Sequence, residues 1–306
     1  MENYLIAMLV FTGLYGLMAL GLNVVWGMAG MINLGLVGFF AFGAYVSALL
    51  TKLAGVPIVL GVIAGMLGTA AAGVVMALTT AKLRGDYLAI VTLGFSEVVR
   101  ITASNEIWLT NGTDGVSGIP GPWRGEVTPE AFNLIFLAIV AVVVTIAVFL
   151  LQRVRHSPYG RVLRAIRDDN QVAAVAGKTV IRFKVEAFAL GCGVIGLSGA
   201  LYGHYISYIA PDGFVPLITI YIVLALTAGG TGNNYGAVFG SLLVVFFMES
   251  TRFITEVVPG LQPVQVAALR EMLIGGSLIL ILRLRPDGLL PERQPQITLT
   301  EEKKPT

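Results

Sequence analysis

Residues able to do chemistry are few in this 306-residue chain, and they are unevenly placed. Gly177-Lys178-Thr179 has the tail of a phosphate-binding loop, but that motif needs a glycine where Val172 stands, and no buried strand precedes it. Gly191-Cys192-Gly193-Val194-Ile195-Gly196 matches the dinucleotide fingerprint by letter, yet it lies inside a long apolar run with no strand before it, so helix packing is the expected role. One cysteine excludes an internal disulfide and a multi-cysteine metal site, and two histidines, His156 and His204, leave little for zinc. His204 sits alone near the end of an apolar run, where hydrogen-bonded structure is the expected role. No catalytic constellation, cofactor site or metal site is legible. An intramembrane enzyme would need paired aspartates, or serine with histidine at membrane depth, and neither is found.

Charge is concentrated in one place. Gln152 to Lys184 holds eight Lys/Arg against two Asp, between two apolar runs. Ser157-Pro158 has the pattern of an N-cap followed by proline at the first helical position, and Gly177 has that of a C-terminal stop. A single surface helix of about five turns, 158–176, is expected. Val162, Ala165, Ile166, Val172, Ala173 and Ala176 recur at three- and four-residue steps as a docking side, while Arg161, Arg164 and Arg167 form an adjacent charged stripe. Taken alone, the island also suits a basic loop that fixes topology at lipid headgroups.

The elements that would hold this island are membrane spans. Hydrophobic residues make up 56% of the chain and charged residues 12%, with a mean hydropathy of +0.83, whereas about a quarter of a soluble domain is charged. The fold class is an all-α polytopic membrane protein. At about 20 apolar residues per crossing, about nine spans (8–10) are expected: 4–26, 33–51, 57–81, 86–103, 133–151, 185–208, 214–230, 236–256 and 268–284. The first lacks the basic leader of a cleaved signal and is expected to be retained. If the spans alternate, 15 of the 20 Lys/Arg fall on one face, which the positive-inside rule makes cytoplasmic. That puts the N-terminus outside and the C-terminus in the cytoplasm. Residues 1–290 then form the transmembrane domain, with loop 152–184 inside, loop 104–132 outside, and a polar cytoplasmic tail over 291–306. The outer loop carries Asn111-Gly112-Thr113, a sequon by letter that chance explains.

Glycine, 37 residues of the chain, sits within the spans. Gly61, Gly65 and Gly68, and likewise Gly196, Gly199 and Gly203, are spaced for close helix packing. The denser run from Gly27 to Tyr45, with Asn33 at the entry to the second span, predicts a re-entrant or interrupted segment. Glu97/Arg100 and Glu249/Arg252, 152 residues apart, suggest two weakly repeated halves of four spans. Asp86, Glu97, Glu186 and Glu249 all fall near span ends. An ion-coupled secondary transporter commonly needs carboxylates at mid-depth, so the driving force is expected to come from elsewhere.

Several segments resemble one family in order: residues 27–45, Leu83 to Gly94, Thr110 to Ile119, Ser157 to Gly177, Ala200-Leu201-Tyr202, the turn at Pro211, and Ala228 to Gly236. Over about 5–290 the chain is similar to the LivM-type permease subunit of branched-chain amino-acid ABC importers. The resemblance implies a multi-pass subunit in the plasma (inner) membrane of a prokaryote, with no enzymatic activity of its own. It implies a second, LivH-like permease, two cytoplasmic ABC ATPases, an external solute-binding protein and the lipid bilayer as partners, and no nucleic acid. It also implies an ATPase-coupling helix within the basic island, drawing on Gly160, Arg161, Arg164, Ala165, Arg167, Asp168, Asp169, Ala173, Ala174 and Gly177. The family's coupling pattern, Glu-Ala-Ala then Gly, aligns with Gln171-Val172-Ala173 and Gly177, so Gln and Val replace Glu and Ala. Related permeases of this fold carry urea and short amides, which stands as the alternative cargo. A glycine-lined, uncharged path suits a hydrophobic zwitterion, with Asn23, Asn33 and Asn111 as candidate lining groups. Each asparagine equally suits bonding to neighbouring backbone.

Overall fold

A computed structural model describes residues 2–80, 83, 85–250, 263–285 and 287–292. Lys82, Arg84, Arg252, Arg293, Lys303 and Lys304 of the expected charge pattern, and the tail beyond Glu292, lie outside the described residues. The helices are α1 (Glu2–Leu22), prolonged by a π-helical stretch (Asn23–Met28), then α2 (Leu36–Leu53), α3 (Ile58–Thr80), α4 (Gly85–Asn105) and the single turn α5 (Ile107–Thr110). They continue as α6 (Pro129–His156), α7 (Pro158–Asp168), α8 (Asn170–Val175), α9 (Val180–Ile206), α10 (Pro216–Gly229), α11 (Asn234–Ser250) and α12 (Pro263–Leu284). Among the described residues, six segments are long and apolar enough to cross a membrane: Asn3–Met28, Leu36–Leu53, Ile58–Thr80, Gly85–Asn105, Pro129–His156 and Pro211–Gly229. The expected spans 185–208, 236–256 and 268–284 fall on α9, α11 and α12, as far as their residues are described.

Two helices form the axis of the bundle. From Gly16 to Val25, α1 and the start of its π-helical extension are buried on every side, as an apolar helix without a polar face must be. It joins α9 on one flank to α10 and α11 on the other, while α9 lies along α2 and α3. Glycine sets these approaches. A Cβ on Gly199 would stand 1.9 Å from the Phe40 carbonyl oxygen, and one on Gly43 2.3 Å from that of Gly196. Gly21 and Gly191 face each other in the same way across α1 and α9, so the dinucleotide-like run is a packing seam. Ser198 adds a cross-helix bond, donating to the Leu14 carbonyl at 2.8 Å. By contrast α3, α4 and α6 turn Val59, Leu67, Ile90 and Leu134 outward, the arrangement expected of helices that face hydrocarbon.

The basic island is less a loop than a chain of helices. α6 continues through Gln152 to His156, and α9 begins at Val180. The expected single helix over 158–176 is two, broken at Asp169, whose extended backbone lets its carboxylate accept from Gln171 N at 2.7 Å and Val172 N at 3.1 Å. A short acidic side chain that satisfies free N–H groups starts a new helix rather than continuing the old one. Gly177, at φ +78, does stop α8, with Lys178 N donating to Ala173 O and Gly177 N to Ala174 O. Gly177-Lys178-Thr179 is thus a helix C-terminus.

At the opposite face, residues 106–128 pack down as a cap. Strand β1 (Val116–Ser117) pairs antiparallel with β2 (Tyr208–Ile209), just after α9. His204 lies beneath, bonded through Nε2 to Ser47 Oγ at 2.9 Å and through Nδ1 to Pro120 O at 2.6 Å. It serves as a structural tie. Glu97 and Arg100 form an ion pair at 2.8 Å on α4.

Candidate functional site on the basic face

Serine and proline start α7 as the sequence predicts. Ser157 Oγ accepts from Gly160 N at 3.3 Å, with Pro158 in the first helical position. The helix buries Gly160, Leu163 and Ile166, and Gly160 sits so close to the Val154 and Arg155 carbonyls that a Cβ would meet them at 2.4 and 2.5 Å. The expected docking side is therefore rotated. Ile166 and Ala173 are buried and Val162 half-buried, while Ala165, Val172 and Ala176 are exposed, and Leu163 is the deepest residue.

The charged stripe divides for the same reason. Arg161 is exposed, but Arg164 and Arg167 turn inward with Arg155 around one carboxylate, Glu292, whose side chain is only 12% exposed. Arg167 Nη1 donates to Glu292 Oε2 at 2.8 Å and also to the Gly27 carbonyl, and its Nε reaches Asp168 at 3.3 Å. Arg155 and Arg164 stand 3.6 and 4.0 Å from Glu292 Oε1, and Arg164 donates to the Arg155 carbonyl at 3.1 Å. Burial works against the Arg167 charge, but Glu292 and then Asp168 outweigh it and hold the guanidinium pKa above its ordinary value. Removing the carboxylate from such a low-exposure cluster is unfavourable, because it strands guanidiniums beside one another.

A second polar chain runs beside the first. Gln152 Oε1 accepts from Asn234 Nδ2 at 3.0 Å, Asn234 Oδ1 accepts from Asn23 Nδ2 at 2.9 Å, and Asn23 Oδ1 accepts from Gly232 N at 2.8 Å. The Asn23 side chain lies against Gly27, one turn on, where a Cβ would stand 2.1 Å from its oxygen. The absence of a side chain at Gly27 is what leaves room for that oxygen beside the π-helical stretch. Gly30, at φ +69, then ends the helix under Arg167.

Residues 29–35 are not helical and connect α1 with its π-helical end to α2, two separate span-length helices, rather than interrupting one of them. Asn33 is fully buried there. Its Oδ1 accepts from Gly35 N at 2.9 Å, while Nδ2 has no hydrogen-bond partner among the described residues. Asn23 and Asn33 thus lie near the basic face, Asn23 with both amide atoms engaged. Asn111, left-handed at φ +61, is far away in the opposite cap and donates to Gly115 O at 3.3 Å. The three asparagines do not form one site.

Outward from α7 and α8 stand Arg161, Ala165, Asp168, Asp169 and Ala174, with Val172 65% and Val175 90% exposed. The two valines are exposed apolar residues on an otherwise polar face of a capped helix. Sequence reasoning missed Glu292, Asn234, Gln152 and Leu163. The Asp168-Asp169-Asn170 run was the available sign of the helix break, whereas nothing local announces a carboxylate 125 residues from its partner Arg167.

Comparison with known proteins fits this geometry. The family model described as branched-chain amino acid transport system / permease component matches residues 4–282. The high-affinity branched-chain amino acid transport system permease protein LivM of Salmonella typhimurium is 32% identical over 94% of this chain and 70% of its own. The probable branched-chain amino acid transport permease protein LivM of Methanocaldococcus jannaschii is 29% identical over 97% of this chain and 95% of its own. LivH, a permease protein of the same high-affinity system in Escherichia coli, is 26% identical over 90% of this chain and 91% of its own. No solved structure matches. The chain belongs to the permease family of branched-chain amino acid transport systems.

Proposed function

We propose that this chain is the membrane-spanning permease subunit of an ATP-driven importer of branched-chain amino acids. The observation that carries this is the family match along residues 4–282, joined by 32% identity to a LivM protein. The chain is a transport subunit rather than an enzyme. ATP hydrolysis falls to two cytoplasmic ATPases, selection of cargo to an external binding protein, and the other half of the pathway to a LivH-like permease.

The basic face is cytoplasmic in this reading. Support comes from the eight cations between Gln152 and Lys184 and from Glu292, which brings the segment after α12 onto the same face. About nine spans follow, with α9, α11 and α12 joining the six apolar segments and the N-terminus outside. The exposed side of α7 and α8 is the coupling surface, and Val172 and Val175 are its apolar contacts. The non-helical stretch 29–35 borders the pathway, where the unpartnered Asn33 amide meets cargo. Non-helical segments at such positions expose backbone and amide groups only where they line a cavity.

The test is uptake of leucine, isoleucine and valine, with urea for comparison, in vesicles holding this chain alone or with ATPases, partner permease and binding protein. Leucine uptake only with ATP and every partner supports the proposal. Uptake of urea alone would move the cargo to amides, and transport by the chain alone on an ion gradient would overturn it.

A further inference from the structure

We propose that Glu292 is a positioning residue: with residues 287–291 it straps the coupling helix α7 to the ends of α1 and α10, so that movement of α7 is passed to the spans. The inference rests on the coupling role proposed above for α7 and α8.

The strap begins as backbone. Beyond α12 the chain lies across the end of α10, where Leu289 N donates to Ala228 O and Leu290 N to Gly229 O, both at 2.9 Å. Asn233 Nδ2 donates to Leu290 O at 3.0 Å. These bonds satisfy carbonyls that a helix C-terminus otherwise leaves open, and they fix where the next two residues go. Glu292 is delivered onto the Gly230–Gly232 turn, so closely that a Cβ on Gly232 would stand 2.6 Å from its Oε2.

The carboxylate then closes the connection. Its strongest contact, 2.8 Å, is to Arg167 on α7, and the same guanidinium nitrogen donates to Gly27 O at the end of α1. Arg155 at the base of α6 and Arg164 on α7 complete the cluster. Three like charges gathered at low exposure repel unless the carboxylate is present. Loss of Glu292 charge therefore frees α7 from α1 and α10 without touching the outward surface of α8. A contiguous charge and hydrogen-bond network of this kind is a physical route for coupling, worth about 2- to 30-fold when perturbed.

The experiment uses the assembled transporter in proteoliposomes, comparing E292Q, R167Q, the double variant and V175E. The readouts are co-purified ATPase, binding-protein-stimulated ATP hydrolysis and leucine taken up per ATP. For E292Q we expect normal assembly and hydrolysis, with uptake per ATP lowered about tenfold. The double variant should lose no more than the worse single variant, as expected of groups acting through one contact. If E292Q leaves uptake per ATP unchanged, or lowers assembly and uptake in equal proportion, Glu292 is a structural residue and the proposal fails. V175E separates the two readings. If V175E abolishes assembly while E292Q is fully coupled, only the strap is wrong; if V175E assembles and transports normally, the coupling surface itself is misplaced.

Discussion

Val172 and Val175 offer the sharpest test of the coupling surface, because they have almost nothing to lose in the isolated chain. They are 65% and 90% exposed on α8. Burying a valine side chain fully is worth about 1.5–3 kcal/mol, so covering what these two still expose contributes about 2–4 kcal/mol. Ordering of neighbouring side chains takes back part of this, about 1 kcal/mol, and the remaining 1–3 kcal/mol is about a 5- to 150-fold effect on affinity at about 1.4 kcal/mol per tenfold. Changing both to serine should leave stability within about 0.5 kcal/mol, as exposed substitutions do. The assay is ATPase binding to the paired permeases in nanodiscs, with the thermal midpoint of the chain measured alongside. A dissociation constant raised at least about 5-fold with an unchanged midpoint is the expected outcome. An unchanged constant would refute the assignment, and a lowered midpoint would mean that the valines pack within the chain.

Two further changes separate packing from pathway. Gly199→Ala places a methyl against the Phe40 backbone and should destabilise the chain by about 1–3 kcal/mol, whereas Gly203→Ala, with its nearest neighbour at 3.7 Å, should be tolerated; unfolding in mixed micelles measures both, and equal effects would contradict the α2–α9 crossing. Asn33→Ser keeps an oxygen for Gly35 N but replaces the Nδ2 amide with a shorter hydroxyl that does not reach as far, so the half-saturating cargo concentration should rise about tenfold, the worth of a hydrogen bond to a charged group, with assembly unchanged; an unchanged value would remove Asn33 from the pathway.

The helices were largely legible because their signals are local. Ser157-Pro158 and Gly177 mark helix ends by filling positions where N–H and C=O groups lack partners, and they do so in the structure. Glycine density forecast close helix approach, but not which glycines touch backbone. Gly196 and Gly199 are tightly packed against Thr69 and Phe40, while Gly203, on the same expected stripe, meets only ordinary contacts. Spacing gives a face, and only the crossing point of two helices decides which residue on that face has no room for a methyl.

The site was legible only to the extent that its parts are neighbours in sequence. Apolar periodicity across 158–176 averaged two helices into one and so turned the docking side by a residue, because Asp169 resets the phase. Even spacing makes the three arginines one charged stripe, but it does not fix where each guanidinium goes. A guanidinium on a surface helix has no fixed destination until its counter-charge is known, and here that charge comes from Glu292, beyond the last helix. Arg161 stays outside and Arg164 and Arg167 do not, although all three share a side of the helix by spacing. The same closure explains why the Gly230–Gly232 turn, the end of α1 and α7 meet at one place. Glycine at 30 and 232 allows Arg167 and Glu292 to lie against backbone at positive φ, so the turn chemistry and the ion cluster depend on each other. Charge reversal at Arg167 would therefore act first on the strap and only through it on the uptake obtained per ATP.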